Sequence, residues 1–208
     1  GDFNGDGQAD VAVGTGAGSD PLVWLYSIAG KKIMGFNPYP TDRKIGVAVA
    51  AGDVNGDGVD ELITVPAKAS AQVRVWQYNA ATKTFKRVAQ SFVYDRTARQ
   101  GFTVTAGDLD LDGRAEIVTA PRANGRSVVI TRLDADNKLQ LVRKFSPYPI
   151  QFTSGLTVTV GDVLGTGRPS IVVVSGPKYY ADIKVFDING KLQTSFVPVS
   201  KAYRNGLS

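Results

Sequence analysis

Three short stretches of this chain carry acidic and amide side chains at spacings that suit a bound cation. In the second of them, residues 53–61, oxygen ligands stand at positions 1, 3, 5 and 9: Asp53, Asn55, Asp57 and Glu61. Ca²⁺ prefers several oxygen ligands that converge from a short, tightly turned loop. Gly58 at position 6 suits such a turn, because a residue without Cβ adopts a positive φ at little cost. This stretch is therefore predicted to bind Ca²⁺.

The same spacing recurs before and after it. The stretches are named here loop 1 (residues 2–10), loop 2 (53–61) and loop 3 (108–116). Loops 1 and 3 place these side chains at the four positions: Asp2, Asn4, Asp6 and Asp10, then Asp108, Asp110, Asp112 and Glu116. Position 7 is expected to lend its backbone carbonyl and is occupied by Gln8, Val59 and Arg114. Carboxylates crowded this closely would repel one another without a cation, so three Ca²⁺ sites are predicted.

A fourth copy, loop 4 (residues 162–170), keeps the glycines and loses most of the ligands. Asp162 remains at position 1, while positions 3, 5 and 9 are Leu164, Thr166 and Ser170. These side chains do not replace two carboxylates and an amide. Loop 4 is therefore predicted to bind no metal.

The loops begin like an EF-hand and then depart from it. An EF-hand requires a bidentate glutamate at position 12 and a helix on each side. Position 12 of loop 2 is Thr64, and the residues around the loop alternate as strands do. The last side-chain ligand is therefore expected on a strand, three residues earlier than in an EF-hand.

The elements that position the loops recur with them. Position 1 falls at residues 2, 53, 108 and 162, so the spacings are 51, 55 and 54 residues. A period of this size indicates a repeat architecture, with propeller blades as the leading candidate. One all-β domain is predicted, with repeats 1–51, 52–106, 107–160 and 161–208. Each repeat holds four strands except the first, which lacks its first strand, so fifteen strands are expected. Residues 203–208 align with residues 43–47, where a new first strand would begin.

An aromatic residue near the end of each fourth strand supports this register: Phe36, Phe92, Phe145 and Phe196. Proline follows three of these four phenylalanines within two residues, and it ends a strand because it cannot extend the hydrogen-bond ladder. Packing between blades is the favoured interpretation of these side chains, and sugar stacking is the alternative.

Composition excludes several classes of chemistry. The 208 residues contain no cysteine and no histidine, which removes disulfides, zinc–thiolate sites and histidine-based triads. Of 19 acidic residues, 11 lie in loops 1 to 3, which leaves 8 elsewhere against 24 lysines and arginines. A solvated surface without a partner is one interpretation of this basic surplus, and attraction to an acidic glycan or a cell-surface protein is the functional one. Nucleic acid is not expected. No membrane span or signal peptide is found. The chain starts inside a loop without methionine and is interpreted as a mature fragment, with flanking sequence expected.

The repeated G-D-x-[ND]-x-D-G-x-x-[DE] pattern resembles the FG-GAP or VCBS-type repeat of integrin α-subunits and many secreted bacterial proteins. The resemblance implies a calcium-binding β-propeller of four-stranded antiparallel blades, with Ca²⁺ in the loop between the first and second strands of a blade. Family propellers commonly have seven blades. Four repeats are therefore expected to be part of a larger propeller, with a small closed four-bladed ring as the alternative.

These observations predict a calcium-stabilised binding or adhesion module that is secreted or on the cell surface and recognises glycans or other surface polymers. A structural repeat unit of a surface layer, fibre or large secreted protein is the alternative. Enzymatic activity is not expected, because the carboxylates that are grouped are those predicted to hold metal.

Overall fold

The computed structural model describes residues 1–204, and this part of the chain is all-β. It contains fifteen strands, the number predicted. The prediction of a new first strand over residues 203–208 falls largely on residues 205–208, which lie outside the described residues. Within residues 1–204, no helix is long and apolar enough to cross a membrane.

The strands form four antiparallel sheets in which chain order and spatial order agree. The first sheet has three strands: β1 (Asp10–Gly14), β2 (Val23–Ser27) and β3 (Lys32–Phe36). The second has four: β4 (Val47–Gly52), β5 (Glu61–Pro66), β6 (Gln72–Asn79) and β7 (Thr84–Phe92). The third has four: β8 (Phe102–Gly107), β9 (Glu116–Pro121), β10 (Val128–Leu133) and β11 (Leu139–Phe145). The fourth has four: β12 (Leu156–Gly161), β13 (Ser170–Ser175), β14 (Ile183–Phe186) and β15 (Leu192–Phe196).

The sheets are arranged as successive propeller blades, which confirms the predicted fold class. The first strands of neighbouring blades contact each other: β4 lies against β8, and β8 lies against β12. Small residues permit this approach, because a Cβ on Gly52 would lie 3.0 Å from the Cβ atoms of Ala106 and Ala115. The outermost strands β11 and β15 are largely exposed, whereas β5 and β9 are buried throughout.

The first blade lacks its first strand, as predicted. Gly1 occupies the last position of that strand and exchanges backbone hydrogen bonds with Asp10, at 3.2 Å and 2.7 Å. The second blade has the same pairing between Gly52 and Glu61 at the end of β4. The register of the first loop therefore matches that of the second, although only one residue of the preceding strand is present.

The core is divided among the joints between blades. Three clusters of buried apolar side chains fill these joints, one between each pair of successive blades. Two of the aromatic residues predicted to pack between blades do so. Phe36 lies 5.1 Å from the ring of Phe85, and Phe145 lies 4.9 Å from the ring of Phe186. Phe196, in the outermost strand of the last blade, is exposed.

A tyrosine after each of the first three blades hydrogen-bonds the next blade. These latch tyrosines, Tyr39, Tyr94 and Tyr148, each stand 14 residues before position 1 of the following loop. Their hydroxyl groups lie 2.7 Å, 2.8 Å and 3.2 Å from backbone carbonyl oxygens at the start of the next blade's third strand: Gln72, Ser127 and Asp182. Burial raises the pKa of all three hydroxyls, which stay protonated and act as donors. In the fourth repeat the corresponding residue is Val199.

Candidate metal centre

Loops 2, 3 and 4 join the first strand of a blade to its second strand, and loop 1 leads into β1. Position 6 has a positive φ in all four loops, at Gly7, Gly58, Gly113 and Gly167. The prediction that Gly58 permits the sharp turn is therefore confirmed, with a φ of 86°. Position 4 also has a positive φ and is glycine in loops 1, 2 and 4, but loop 3 places Leu111 there with a φ of 64°.

The aspartate at position 1 organises the turn through backbone amides. In loop 2, Asp53 accepts hydrogen bonds from the amides of Gly56 at 2.6 Å and Gly58 at 2.8 Å. Asp162 of loop 4 does the same, accepting from Thr166 at 2.9 Å and Gly167 at 2.7 Å. These two hydrogen bonds hold the pKa of Asp162 below its usual value. Position 1 thus has a structural role even in the loop that has lost its other ligands.

The carboxylate at position 9 is buried in loops 1 to 3. Glu61 is 1% exposed, and its side chain accepts hydrogen bonds from the Asn55 amide at 2.6 Å and the Val54 backbone at 3.1 Å. Burial raises the pKa of Glu61 to about 7, and repulsion by Asp57 and Asp53 adds to the rise. Asp10 of loop 1 is also buried, and burial together with the charge of Asp6 raises its pKa. A buried carboxylate facing further carboxylates is a donor set that a hard cation fits.

Loop 3 brings its carboxylates closest together. Oxygen atoms of Asp108, Asp110 and Glu116 all lie within 4.8 Å of one another, so this cluster can hold a metal ion. Within residues 1–204, it is the one group of three or more acidic side chains with that property. One carboxylate oxygen of Asp110 is buried and has no hydrogen-bond partner. The oxygen chemistry and the unpartnered atom both fit a cation.

Arg132 of β10 reaches into loop 3, which the sequence analysis did not predict. Its guanidinium donates to Glu116 at 2.9 Å and 2.7 Å, contacts Asp112 at 3.3 Å, and forms an ion pair with Asp110. Although burial opposes it, hydrogen bonding to Glu116 and Asp110 raises the pKa of the guanidinium further. In the sequence, Arg132 is recognisable as a charged residue in an otherwise uncharged strand. Its partner Glu116 is not recognisable, because it lies 16 residues away on another strand.

The backbone amide at position 7 has a role of its own. The residues there donate their backbone amides to the position-5 carboxylates, each at 2.9 Å: Gln8 to Asp6, Val59 to Asp57 and Arg114 to Asp112. These bonds orient one oxygen of the carboxylate. The use of the position-7 carbonyls as ligands stays a prediction.

The loops are hydrogen-bonded in a row across the blades. The amide at position 8 of one loop donates to the position-1 carbonyl of the preceding loop, from Asp60 to Asp2 at 3.0 Å and from Ala115 to Asp53 at 2.7 Å. The Asp60 side chain also accepts from the Asp2 amide at 2.8 Å. Position 8 of loop 4 is Pro169, which has no amide hydrogen to donate. Loops 1 to 3 therefore form one connected edge.

Comparison with solved structures supports the fold. A rhamnogalacturonan lyase, YesW, has a TM-score of 0.60 at 16% identity, over 93% of this chain and 41% of that chain. The Bacillus licheniformis rhamnogalacturonan lyase PL11 gives 0.56 at 18% identity, over 92% and 40%. Saccharomyces cerevisiae Sqt1 gives 0.55 at 14% identity, over 92% and 45%. The chain spans less than half the length of each of these proteins, and these identities show the fold alone.

Comparison of the sequence itself identifies the family. No match was found among curated proteins. The family model described as an FG-GAP-like repeat matches residues 2–64 and 53–119, a region that includes loops 1, 2 and 3. The matched residues cover more than half of the chain and end at β9, just after Glu116. The chain belongs to the FG-GAP-like repeat family.

Proposed function

We propose that this chain is a calcium-stabilised binding module of a secreted or cell-surface protein. The observation that carries the proposal is the pair of buried position-9 carboxylates in loops 1 and 2, Asp10 and Glu61, which face further carboxylates and form no ion pair within residues 1–204. Glu116 of loop 3 is buried as well, and Arg132 is its partner. Burying such a charge without a compensating partner is costly. A bound Ca²⁺ would supply that partner.

The residues that would hold each ion are those at positions 1, 3, 5 and 9 of loops 1 to 3. When bound, Ca²⁺ neutralises the converging carboxylates and fixes the loop around itself. Because the loops are hydrogen-bonded in a row, fixing one loop also holds the joint to the next blade. The ion would therefore have a structural effect, and affinities suited to calcium-rich extracellular fluid would suffice.

An anionic polymer is the ligand that the charge distribution favours. A cavity of about 640 Å³ lies between the third and fourth blades, with Arg132, Arg143 and Arg168 in its wall. Gln140 and Asn189 line it as well and offer further hydrogen bonds. Within residues 1–204, no carboxylate lies within 4.0 Å of the guanidinium of Arg143 or Arg168. Arginine recognises carboxylate groups such as those of an acidic glycan with paired hydrogen bonds.

The module is proposed to be non-catalytic. Histidine and cysteine, two common catalytic side chains, are absent, and the grouped carboxylates lie in loops 1 to 3. In the cavity, the acidic residue is Asp110, which is paired with Arg132. The proposed task of this surface is therefore binding.

Binding to hyaluronan, a carboxylated polymer, and to neutral dextran in Ca²⁺ buffer tests the proposal. Saturable binding to hyaluronan alone is expected, weakened by salt because exposed charges are screened. Arg143→Ser with Arg168→Ser should weaken it at least about fivefold, since each lost charge-assisted hydrogen bond contributes more than 1 kcal/mol. Lys31→Ser with Lys86→Ser removes two exposed charges elsewhere and is the matched control. Equal binding to both polymers would reject an anionic ligand, and no binding to either would favour a structural repeat unit.

A further inference from the structure

Arg132 occupies the centre of loop 3, where the family pattern places a cation. We propose that Arg132 is a tethered counter-ion, so that loop 3 is held together without metal and Ca²⁺ enters it only by displacing the guanidinium. Loop 3 then binds Ca²⁺ more weakly than loop 2. This inference rests on the proposed function, and it adds an order of Ca²⁺ affinity among the loops.

The contacts of Arg132 cover three of the four ligand positions of loop 3. The guanidinium touches position 3 at Asp110, position 5 at Asp112 and position 9 at Glu116. Glu116 is fully buried, while the Arg132 side chain is 31% exposed and enters from the cavity side. A metal ion that used the same three carboxylates would have to take the place of the guanidinium.

Charge explains why loop 3 differs from the other loops. Position 3 is an amide in loops 1 and 2, and the amide nitrogen of Asn55 bridges Asp57 at 3.0 Å and Glu61 at 2.6 Å. Position 3 of loop 3 is Asp110, which adds a carboxylate and removes that donor. Arg132 supplies both the donor and a positive charge. The ligand positions of loop 3 and Arg132 together carry the same three negative charges as the ligand positions of loop 2.

Strand register gives Arg132 its position. The β9–β10 ladder ends at the pair Ile117 and Thr131, and the β5–β6 ladder ends at the pair Leu62 and Trp76. Arg132 and Gln77 are the next residues along, so each lies beside the position-9 glutamate of its blade, Glu116 or Glu61. Gln77 is neutral, and its amide nitrogen lies 3.3 Å from Asp57. The first and fourth blades have Ser27 and Asp187 at this place. Ser27 and Asp187 accept hydrogen bonds within their own hairpin turns, from the amides of Lys31 and Lys191. Among these four residues, Arg132 is the one that brings a positive charge to its loop.

Competition sets the size of the effect. If the state with Arg132 in the loop is populated to about 90%, the apparent Kd for Ca²⁺ at loop 3 rises about tenfold. Removing Arg132 would remove this competition and leave four carboxylates for the ion. Placing an arginine beside Glu61 would create the same competition at loop 2.

The test is a pair of reciprocal substitutions, Arg132→Gln and Gln77→Arg, with Ca²⁺ binding measured by equilibrium dialysis and calorimetry. The unmodified protein should show two tight sites and one at least about tenfold weaker. Arg132→Gln should strengthen the weak site about tenfold or more, and Gln77→Arg should weaken one tight site similarly. Lys144→Gln, which removes an exposed positive charge from the same blade, should change neither. Because Gln77→Arg leaves loop 3 intact, the test does not depend on the folding of Arg132→Gln.

The outcomes separate this inference from the proposed function. Three equal sites that neither substitution alters would overturn the role of Arg132 and leave the calcium-stabilised module in place. Binding that appears only in Arg132→Gln would support the role of Arg132 and overturn calcium binding by loops 1 and 2. No binding in any variant would overturn both.

Discussion

At the scale of single residues, the loops combine two roles that one sequence pattern does not separate. The aspartate at position 1 closes the turn by accepting backbone amides, and Asp162 does this in a loop without the other ligands. Asp57 at position 5 accepts one backbone amide and faces the other carboxylates of loop 2. The first role requires no metal, and the second is expected to depend on it.

The effect of calcium on two substitutions should distinguish these roles. Asp162→Ala is expected to lower the free energy of unfolding, because the turn amides of Thr166 and Gly167 lose their acceptor. Chemical denaturation should give the same loss in Ca²⁺ and in chelator. Asp57→Ala should cost clearly more in Ca²⁺ than in chelator, since it removes a ligand. If Asp162→Ala were harmless in chelator, the structural role of position 1 would be refuted.

Leu111 is a residue in a conformation that favours glycine. Its φ of 64° matches that of the glycines at position 4 of the other loops, and a left-handed conformation costs an ordinary residue roughly 1–2 kcal/mol. The side chain is also half exposed. Leu111→Gly should therefore raise the free energy of unfolding by about 0.5–1 kcal/mol, after the entropy cost of glycine is subtracted. Denaturant titration should show this gain, and Gly56→Ala in loop 2 should show the opposite sign.

The sequence predicted the ligand positions and the glycine turns because these are local properties of ten residues. It did not predict Arg132, because its contact with Glu116 depends on which residues pair between β9 and β10. A shift of one residue in that pairing would turn Arg132 to the other face of the sheet. Alternation alone does not fix such a register.

At the scale of elements, each blade is joined to the next by its loop on the inside and by a latch tyrosine further out. Tyr94 packs its ring 4.7 Å from Phe102, and its hydroxyl lies 2.8 Å from the carbonyl oxygens of Thr119 and Ser127. These oxygens belong to β9 and the start of β10, so one side chain spans two strands of the following blade. Interdigitation of this kind couples the stability of neighbouring blades.

Removing one latch hydroxyl should therefore weaken the contact between two blades while the buried ring stays in place. Tyr94→Phe keeps the buried ring and leaves carbonyl oxygens unpaired, so the free energy of unfolding should fall by about 1–3 kcal/mol. Tyr203→Phe alters an exposed tyrosine and should change it by less than about 0.5 kcal/mol. Thermal and chemical denaturation measure both. A loss that is equal in the two variants would argue against the latch.

The strand count was predicted correctly, since alternation and turn residues recur in every repeat. Strand ends depend on hairpin pairing that alternation does not reveal. The strand β7 begins at Thr84 because the β6–β7 hairpin continues its ladder to the pair Asn79 and Thr84. The latch tyrosines were missed because the neighbouring phenylalanines and prolines explained the same segments. The separation of 14 residues from each loop was visible in the sequence and would have identified them.

At the scale of the whole molecule, stability is distributed over three joints, and the loops lie at the inner edge of these joints. The blades at the two ends of the run expose apolar side chains that middle blades bury. Val11 and Val13 of β1 are 43% and 46% exposed, whereas all of β5 is buried. Burial is therefore a property of stacked blades and not of a single repeat, which is typical of repeat architectures.

Calcium should consequently control the melting of the whole run of blades. A site that binds only the folded state adds RT ln(1 + [L]/Kd), about 2.7 kcal/mol at a hundredfold excess over Kd. Two or three such sites would raise Tm by roughly 10–30 °C, since 1 kcal/mol shifts Tm by about 2–4 °C for a chain of this size. Calorimetry in excess Ca²⁺ and in chelator measures the difference. Mg²⁺ at equal concentration is the control and should stabilise much less, because it demands octahedral geometry and retains its waters. Identical melting curves with and without chelator would show that Ca²⁺ stabilises none of the three loops.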